Sequence, residues 1–272
     1  MVITRNEERN LDRCLRSVAW ADEIVVVDSG STDRTLEIAA RYEARILRQD
    51  WPGYVAQKNF AAEQARHDWV LSLDADEWLT DDVAEEIRST LAAPRAEAYA
   101  LRRITAFSGA FLHRTWSPEW QTRLFRKGKA SFAGGQVHES LRLADGAVPA
   151  RLRQPMLHLG YRSIRDYVER LNRYTDLAAD TLHQQQRGVP WVRLVVSPPA
   201  TFVKFYLIKG GFLDGLRGLI VAAGSAFYVL LKYAKLWEMR RAPSPEFLSA
   251  AGTTPEDGDP GATGDPPHEY KR

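Results

Sequence analysis

Across residues 1–103, short apolar runs alternate with polar loops and helix-like patterns. Met1-Val2-Ile3-Thr4 and Glu23-Ile24-Val25-Val26-Val27-Asp28 read as buried strands that end in polar residues. Behind the first, Asn6 is a candidate N-cap, and Leu11, Cys14, Leu15 and Val18 follow at i, i+3, i+4 and i+7. Behind the second, Ser29-Gly30-Ser31-Thr32-Asp33 leads into a helix expected over about 33–42. Small, turn-forming residues there let backbone N–H groups face a ligand at a helix N-terminus. The pattern then predicts a strand at 45–48, a turn at Trp51-Pro52-Gly53, a helix over about 55–66, a strand at 70–73, a helix over about 81–91 and a strand at 97–104. This is the order of a parallel nucleotide-binding half-sheet. From Thr105 to Val148 the pattern changes to strands and loops, including 121–126 and 130–132.

Ser163 opens an amphipathic helix with a capping-box spacing to Asp166 and an apolar stripe from Ile164 to Ala178. Glu169 and Arg173 form a supporting i, i+4 pair, and Gly188-Val189-Pro190 breaks the helix. Residues 198–241 are dense in Leu, Phe, Tyr and Val, flanked by Lys204, Lys209, Arg217, Lys232 and Lys235. The uncharged run between Arg217 and Lys232 is shorter than the ~20 residues a spanning helix needs, which suits a helix lying in a membrane interface or a buried helix pair. From Ala242 onward prolines forbid regular structure, and a disordered tail is expected.

Of the 272 residues, 44% are hydrophobic and 26% charged, enough apolar material for one large core. The formal charge of +2 gives no case for nucleic-acid binding. The single cysteine, Cys14, falls on the first helix's apolar stripe, which excludes an intramolecular disulfide and argues for a reducing compartment. No signal peptide is read, because the first residues already form a strand; that strand is short enough to leave room for a few preceding residues.

The most informative stretch is Val70-Leu71-Ser72-Leu73-Asp74-Ala75-Asp76-Glu77. A strand delivering Asp74 and Asp76 at its C-terminal end places carboxylates where α/β sheets bind ligands. Clustered carboxylates resist joint ionisation unless a cation lies between them. Hard oxygen ligands suit Mg²⁺ or Mn²⁺, above all with substrate phosphates completing the shell. The plainer alternative is an acidic loop capping the next helix.

Together, Val2-Ile3-Thr4-Arg5-Asn6-Glu7, Val26-Val27-Asp28-Ser29-Gly30-Ser31-Thr32-Asp33 and Leu73-Asp74-Ala75-Asp76-Glu77 resemble family 2 glycosyltransferases of the GT-A fold. A closer similarity, to bacterial lipopolysaccharide core glycosyltransferases, is carried by Gln57-Lys58-Asn59, Arg123-Leu124-Phe125-Arg126, Val137-His138-Glu139, Gly211-Phe212-Leu213-Asp214-Gly215 and Lys232-Tyr233-Ala234-Lys235-Leu236-Trp237. The resemblance implies an α/β fold with a Rossmann-like mixed sheet flanked by helices. The expected division is a catalytic domain over 1–160 (nucleotide-sugar half about 1–104, acceptor half about 105–160), a helical, membrane-associated extension over 161–241 and the tail over 242–272.

It also implies roles. Asp28, helped by Thr4 and Glu7, binds base or ribose. Asp74 contacts ribose or metal, and Asp76 ligates Mg²⁺ or Mn²⁺ on the diphosphate. Lys58, Arg123 and Arg126 serve donor or acceptor phosphates, although the spacing of the two arginines puts them on opposite faces of a regular strand. Glu139 is the base of an inverting attack. His138 stands where many relatives have an acid, so it shares the base role or binds metal. The implied partners are a UDP-sugar and a lipid-linked envelope glycan, at the cytoplasmic face of the plasma membrane. Two rivals remain: a polyprenyl-phosphate glycosyltransferase, which needs no base, and a membrane-bound scaffold that binds nucleotide sugar without turnover. His113, Trp116, Trp120, His158 and Trp51 are aromatic candidates of low weight.

Overall fold

Val25–Asp28 is buried at every position, as a strand covered on both faces of a parallel sheet must be. The computed structural model in which this is seen describes residues 1–117, 119–134, 139–144, 146–188 and 191–241. The chain forms two compact units, Met1–Arg162 and a second from Ser163 onward.

The first unit opens with β1 (Val2–Thr4), α1 (Leu11–Arg16), β2 (Val25–Asp28), α2 (Thr35–Arg41), β3 (Arg45–Arg48) and α3 (Tyr54–Gln64). It continues through β4 (Trp69–Leu71), β5 (Leu73–Asp74), β6 (Glu77–Trp78), α4 (Asp81–Ala92), β7 (Ala98–Phe107), β8 (Ala110–Leu112), β9 (Glu119–Arg126), β10 (Ala130–Gly134), β11 (Glu139–Leu143) and β12 (Ala150–Tyr161). A parallel sheet has the order β3-β2-β1-β5. A second, mixed sheet runs β4-β9-β7-β12-β6, with β8 on β7, and β10 and β11 form a separate hairpin. One apolar cluster joins α1, α4 and both sheets through Leu11, Leu15, Val83, Ile87, Leu101, Leu124 and Met156. Cys14 lies inside it, and burial pushes its thiol well up.

Two local expectations are corrected. The run expected as one strand at 70–73 is two, because Ser72 donates its N–H to Arg123 O while Leu73 donates to Met1 O, so the chain passes from the mixed to the parallel sheet at that residue. Asn6 does not cap α1, where Asn10 holds the N-cap position. Asn6 instead adopts a left-handed φ of 57°, which Asn tolerates, and accepts from Thr32 N at 2.8 Å.

The second unit contains α5 (Ile164–Gln184), α6 (Trp191–Val195), α7 (Ser197–Val203) and α8 (Gly215–Glu238). Ser163 caps α5 by accepting from Asp166 N at 3.1 Å, and the supporting ion pair is Asp166–Arg170. Among the described residues, Gly211–Glu238 is one helical stretch long and apolar enough to cross a membrane, longer than the uncharged run alone suggested. The tail expected over 242–272 lies outside the described residues.

Gly160 sits where β12 runs beside Thr105 and Ala106 of β7: a Cβ there would overlap Thr105 Cγ2 and stand 2.9 Å from Ala106 O. Gly160→Val is expected to lower unfolding stability by about 1–3 kcal/mol, read as a lower urea midpoint.

Candidate active site

The segment 69–78 threads between the two sheets. Leu71 pairs with Leu124 of the mixed sheet, Asp74 with Ile3 of the parallel one, and Glu77 with His158 of the mixed sheet again. Three acids within four residues, Asp74, Asp76 and Glu77, are thereby delivered to the line where the sheets meet.

Cations make that convergence tolerable. Asp74 Oδ1 lies 2.9 Å from Lys58 Nζ and Asp74 Oδ2 2.6 Å from Arg123. Arg123 also holds Glu77 at 2.6 Å, and Arg103 bridges Glu77 at 3.2 Å to Glu119 at 2.6 Å. At the other end Lys58 Nζ donates to Glu139 Oε1 at 2.7 Å. The result is an alternating chain, Glu139–Lys58–Asp74–Arg123–Glu77–Arg103–Glu119. Burial alone would push the Lys58 ammonium down, but Asp74 and Glu139 outweigh it and raise it. Burial likewise opposes ionisation of Asp74, yet Arg123 and Lys58 hold its carboxyl well below the usual range.

Asp76 stands apart. Among the described residues its one ion-pair contact within 4 Å is His158 Nε2, at 3.5 Å. Its carboxylate is 29% exposed. Burial opposes its ionisation, but His158 outweighs that and holds the carboxyl below its ordinary value. On the far side of the ring, His158 Nδ1 meets Thr105 Oγ1 at 3.2 Å, which orients the imidazole. No group of three or more His, Cys, Asp or Glu residues among the described ones could hold a metal unaided. Asp76 with His158 is therefore a partial donor set. It fits a hard divalent ion that takes its remaining ligands from phosphate and water, as Mg²⁺ commonly does.

Residues 57–59 of α3 tie three pieces of the site together. Gln57 Nε2 donates to Ser29 Oγ at 2.9 Å, Lys58 reaches Asp74 and Glu139, and Asn59 exchanges two hydrogen bonds with the backbone of Phe132 in β10. Gly53 precedes the helix at φ 100°, a conformation that favours glycine.

The structure gives each sequence-predicted site residue that it describes a definite set of partners. Asp28 offers no free carboxylate: it is buried and accepts from Gly30 N at 3.0 Å, Ser31 N at 2.9 Å, Thr4 Oγ1 at 3.3 Å and Ser31 Oγ. Asp28 and Thr4 thus shape the loop after β2. Glu7 accepts from Asn10 at 3.0 Å, and its N–H donates to Thr35 Oγ1 at 2.7 Å, stitching the loops after β1 and β2. Asp74 has one oxygen on Lys58 and the other on Arg123, which leaves Asp76 as the less engaged carboxylate of the pair. Arg123 is buried between Asp74 and Glu77 and is not turned to a phosphate. Arg126 pairs in register with Trp69, at the end of β4 remote from Asp74, and meets Asp68 and Glu97. His138 lies outside the described residues. Glu139 has Oε1 on Lys58, with Oε2 unengaged among the described residues. Sequence reasoning missed Arg103 and gave His158 little weight; no local spacing marks either, since both reach the site through strand pairing.

The comparisons with known proteins agree with this architecture. Residues 1–142 match the model of glycosyl transferase family 2. The chain belongs to that family. It is 32% identical over 250 residues to an uncharacterised glycosyltransferase of Rickettsia bellii, covering 88% of this chain and 85% of the relative. It is also 32% identical over 248 residues to LpsC, a lipopolysaccharide core biosynthesis glycosyltransferase of Rhizobium meliloti, covering 87% and 90%. Among solved structures, TarS of S. aureus aligns over 89% of this chain and 91% of its own, at 16% identity and a TM-score of 0.47. The fold of this glycosyltransferase is GT-A, a parallel sheet flanked by helices and joined to a mixed sheet.

Removing one partner from a buried ion pair leaves the other uncompensated. Arg123→Leu is expected to cost about 3 kcal/mol in denaturant unfolding, and the double variant Arg123→Leu, Glu77→Leu to recover much of it. The depressed carboxyls of Asp74 and Asp76 set a sign for acid. Their stabilisation is complete above the unfolded-state value near ~3.9 and is lost as pH falls through the lower folded-state values. The urea midpoint should hold from neutral pH to about 5 and then decline, less steeply in Asp74→Asn.

Proposed function

We propose that this glycosyltransferase moves a sugar from a nucleoside-diphosphate donor, UDP-linked, to a hydroxyl of a lipid-linked envelope glycan such as lipopolysaccharide core, with inversion. The observation that carries the reading is the isolation of Asp76 with His158 beside the carboxylates of Asp74 and Glu77, which are already countered by Lys58, Arg123 and Arg103. Mg²⁺ or Mn²⁺ held by these two residues would neutralise charge developing on the leaving diphosphate. The remaining work belongs to the chain. The loop after β2, shaped by Asp28, Thr4 and Gln57, receives the nucleoside. Glu139 takes the proton from the acceptor hydroxyl as that oxygen attacks the anomeric carbon and the carbon–diphosphate bond breaks. Lys58 fixes Glu139 against Asp74, so base and donor site share one ammonium. The similarity to LpsC along 87% of the chain supports the envelope acceptor. The exposed apolar face of the second unit supports work at a membrane, peripherally on the cytoplasmic side.

With extracted envelope lipids as acceptor, nucleoside diphosphate release should require Mg²⁺ or Mn²⁺. Asp76→Asn and His158→Ala are each expected to lower turnover about 10²-fold or more while leaving the melting temperature within a few degrees. Full activity in Asp76→Asn would remove the metal site from the mechanism. Glu139→Gln separates acceptor classes: turnover should fall about 10²- to 10⁴-fold on a hydroxyl, whereas an ionised polyprenyl phosphate needs no base and would keep its rate.

A further inference from the structure

α8 has two unlike faces. Gly218, Val221, Ala222 and Leu236 are buried, and Gly224 packs under the Tyr167 hydroxyl of α5. The opposite side carries Leu216, Leu219, Ala223, Phe227, Leu230 and Trp237, all exposed, Leu216 by 71%. Their spacing of three or four residues, with seven at the last step, keeps them on one side of the helix over about 32 Å at the helical rise. The turn that precedes α8 adds Leu207, Leu213 and, at 77% exposure, Ile208.

Three occupants could cover this face, and the charges choose among them. A buried core helix is excluded, because only 17% of its most apolar window is buried. A spanning helix would drag α5 into hydrocarbon with it. α5 packs along α8 and carries the Asp166–Arg170 pair and Asp176, the latter bound to Lys235 of α8. Charges at bilayer depth are costly. A second copy would set one net-positive helix against another, since between Asp214 and Glu238 the charged residues are Arg217, Lys232 and Lys235. An anionic lipid surface satisfies both features: acyl chains receive the stripe, and headgroup phosphates receive Lys204, Lys209 and Arg217, with lysine stems along the apolar surface.

We propose that α8 and the turn at 207–213 form a membrane-docking surface for anionic phospholipid, with α8 parallel to the bilayer plane and its stripe at the headgroup–acyl boundary. This deepens, and rests on, the membrane contact in the proposed function. It names the residues that insert and the charge of the lipid.

The test is co-sedimentation of the full chain, without substrate, with vesicles of phosphatidylcholine alone or mixed with phosphatidylglycerol. Wild type should sediment with the mixed vesicles, far less with phosphatidylcholine, and be released by alkaline carbonate. Leu219→Glu combined with Phe227→Glu should lower the partition about ten-fold or more, with an unchanged melting curve and unchanged transfer to a water-soluble acceptor fragment. Lys204→Glu with Lys209→Glu provides a second variant that leaves the stripe intact and should abolish the preference for phosphatidylglycerol. Binding that survives both variants overturns the surface. So does retention after carbonate, which marks a spanning helix, or a wild-type dimer that the stripe variant dissociates, which marks a second copy. If vesicles bind as expected but no lipid-linked glycan accepts sugar, the acceptor assignment fails and the docking surface stands.

Discussion

Lys58, Arg123 and Arg103 are the cations that let four carboxylates, Glu139, Asp74, Glu77 and Glu119, meet at the junction of two sheets. Without them the segment 69–78 would bring acids together at distances where joint ionisation is strongly opposed. The desolvation of such ions is expensive, and a well-packed apolar cluster could match their net stability. What apolar residues could not do is fix which strand end faces which. Each cation here reads carboxylates from two different elements, so the pairing is a registration device as well as an attraction. Arg123 of β9 joins β5 to β6, and Lys58 of α3 joins β5 to β11.

The second consequence concerns α3. Successive residues of a helix point in different directions, about 100° apart for neighbours. Gln57, Lys58 and Asn59 use that divergence to hold the loop after β2, the end of β5 and the β10 backbone at once. The hairpin that carries Glu139 is thus bound to the same helix as the loop that Asp28 shapes. The loop after β2 and the β10–β11 hairpin are placed relative to each other by side chains rather than by a continuous sheet.

Much of this was legible in the sequence, and the rest was hidden for identifiable reasons. The parallel sheet could be read because β2 is apolar at every position and ends in a carboxylate, a local signal. The acid run at 74–77 was equally plain. The sheet change at Ser72 was not, since Val70-Leu71-Ser72-Leu73 has the composition of one strand and only the partners of its N–H groups divide it. β12 was obscured by Arg153-Gln154-Pro155 at its bulge, where the alternation breaks. His158 and Arg103 carry no motif; their roles come from pairing in β12 and β7. Spacing put Arg123 and Arg126 on opposite faces but did not say which one meets the acids; β9 runs along β4, so Arg126 pairs with Trp69 at the end of β4 remote from Asp74. The carboxylates of Asp28 and Asp74 were assigned to ligands because a sequence shows an acid but not the N–H groups and cations that already occupy it.

The spacing of the acid motif follows from this asymmetry. Asp74 ends β5 and Glu77 begins β6, so both are locked into sheets and can be countered by fixed cations. Asp76 lies in the two-residue link between them, where His158 of β12 is its ion-pair contact among the described residues and its backbone carbonyl is bound by Leu159 N at 2.9 Å. The link is anchored while its carboxylate stays partly exposed beside the His158 imidazole. Lys58, Arg123 and Arg103 all contact the other carboxylates, and among the described residues none of the three forms an ion pair with Asp76. That asymmetry is the ground for the proposed cation site, since a hard divalent ion commonly takes its remaining ligands from phosphate and water.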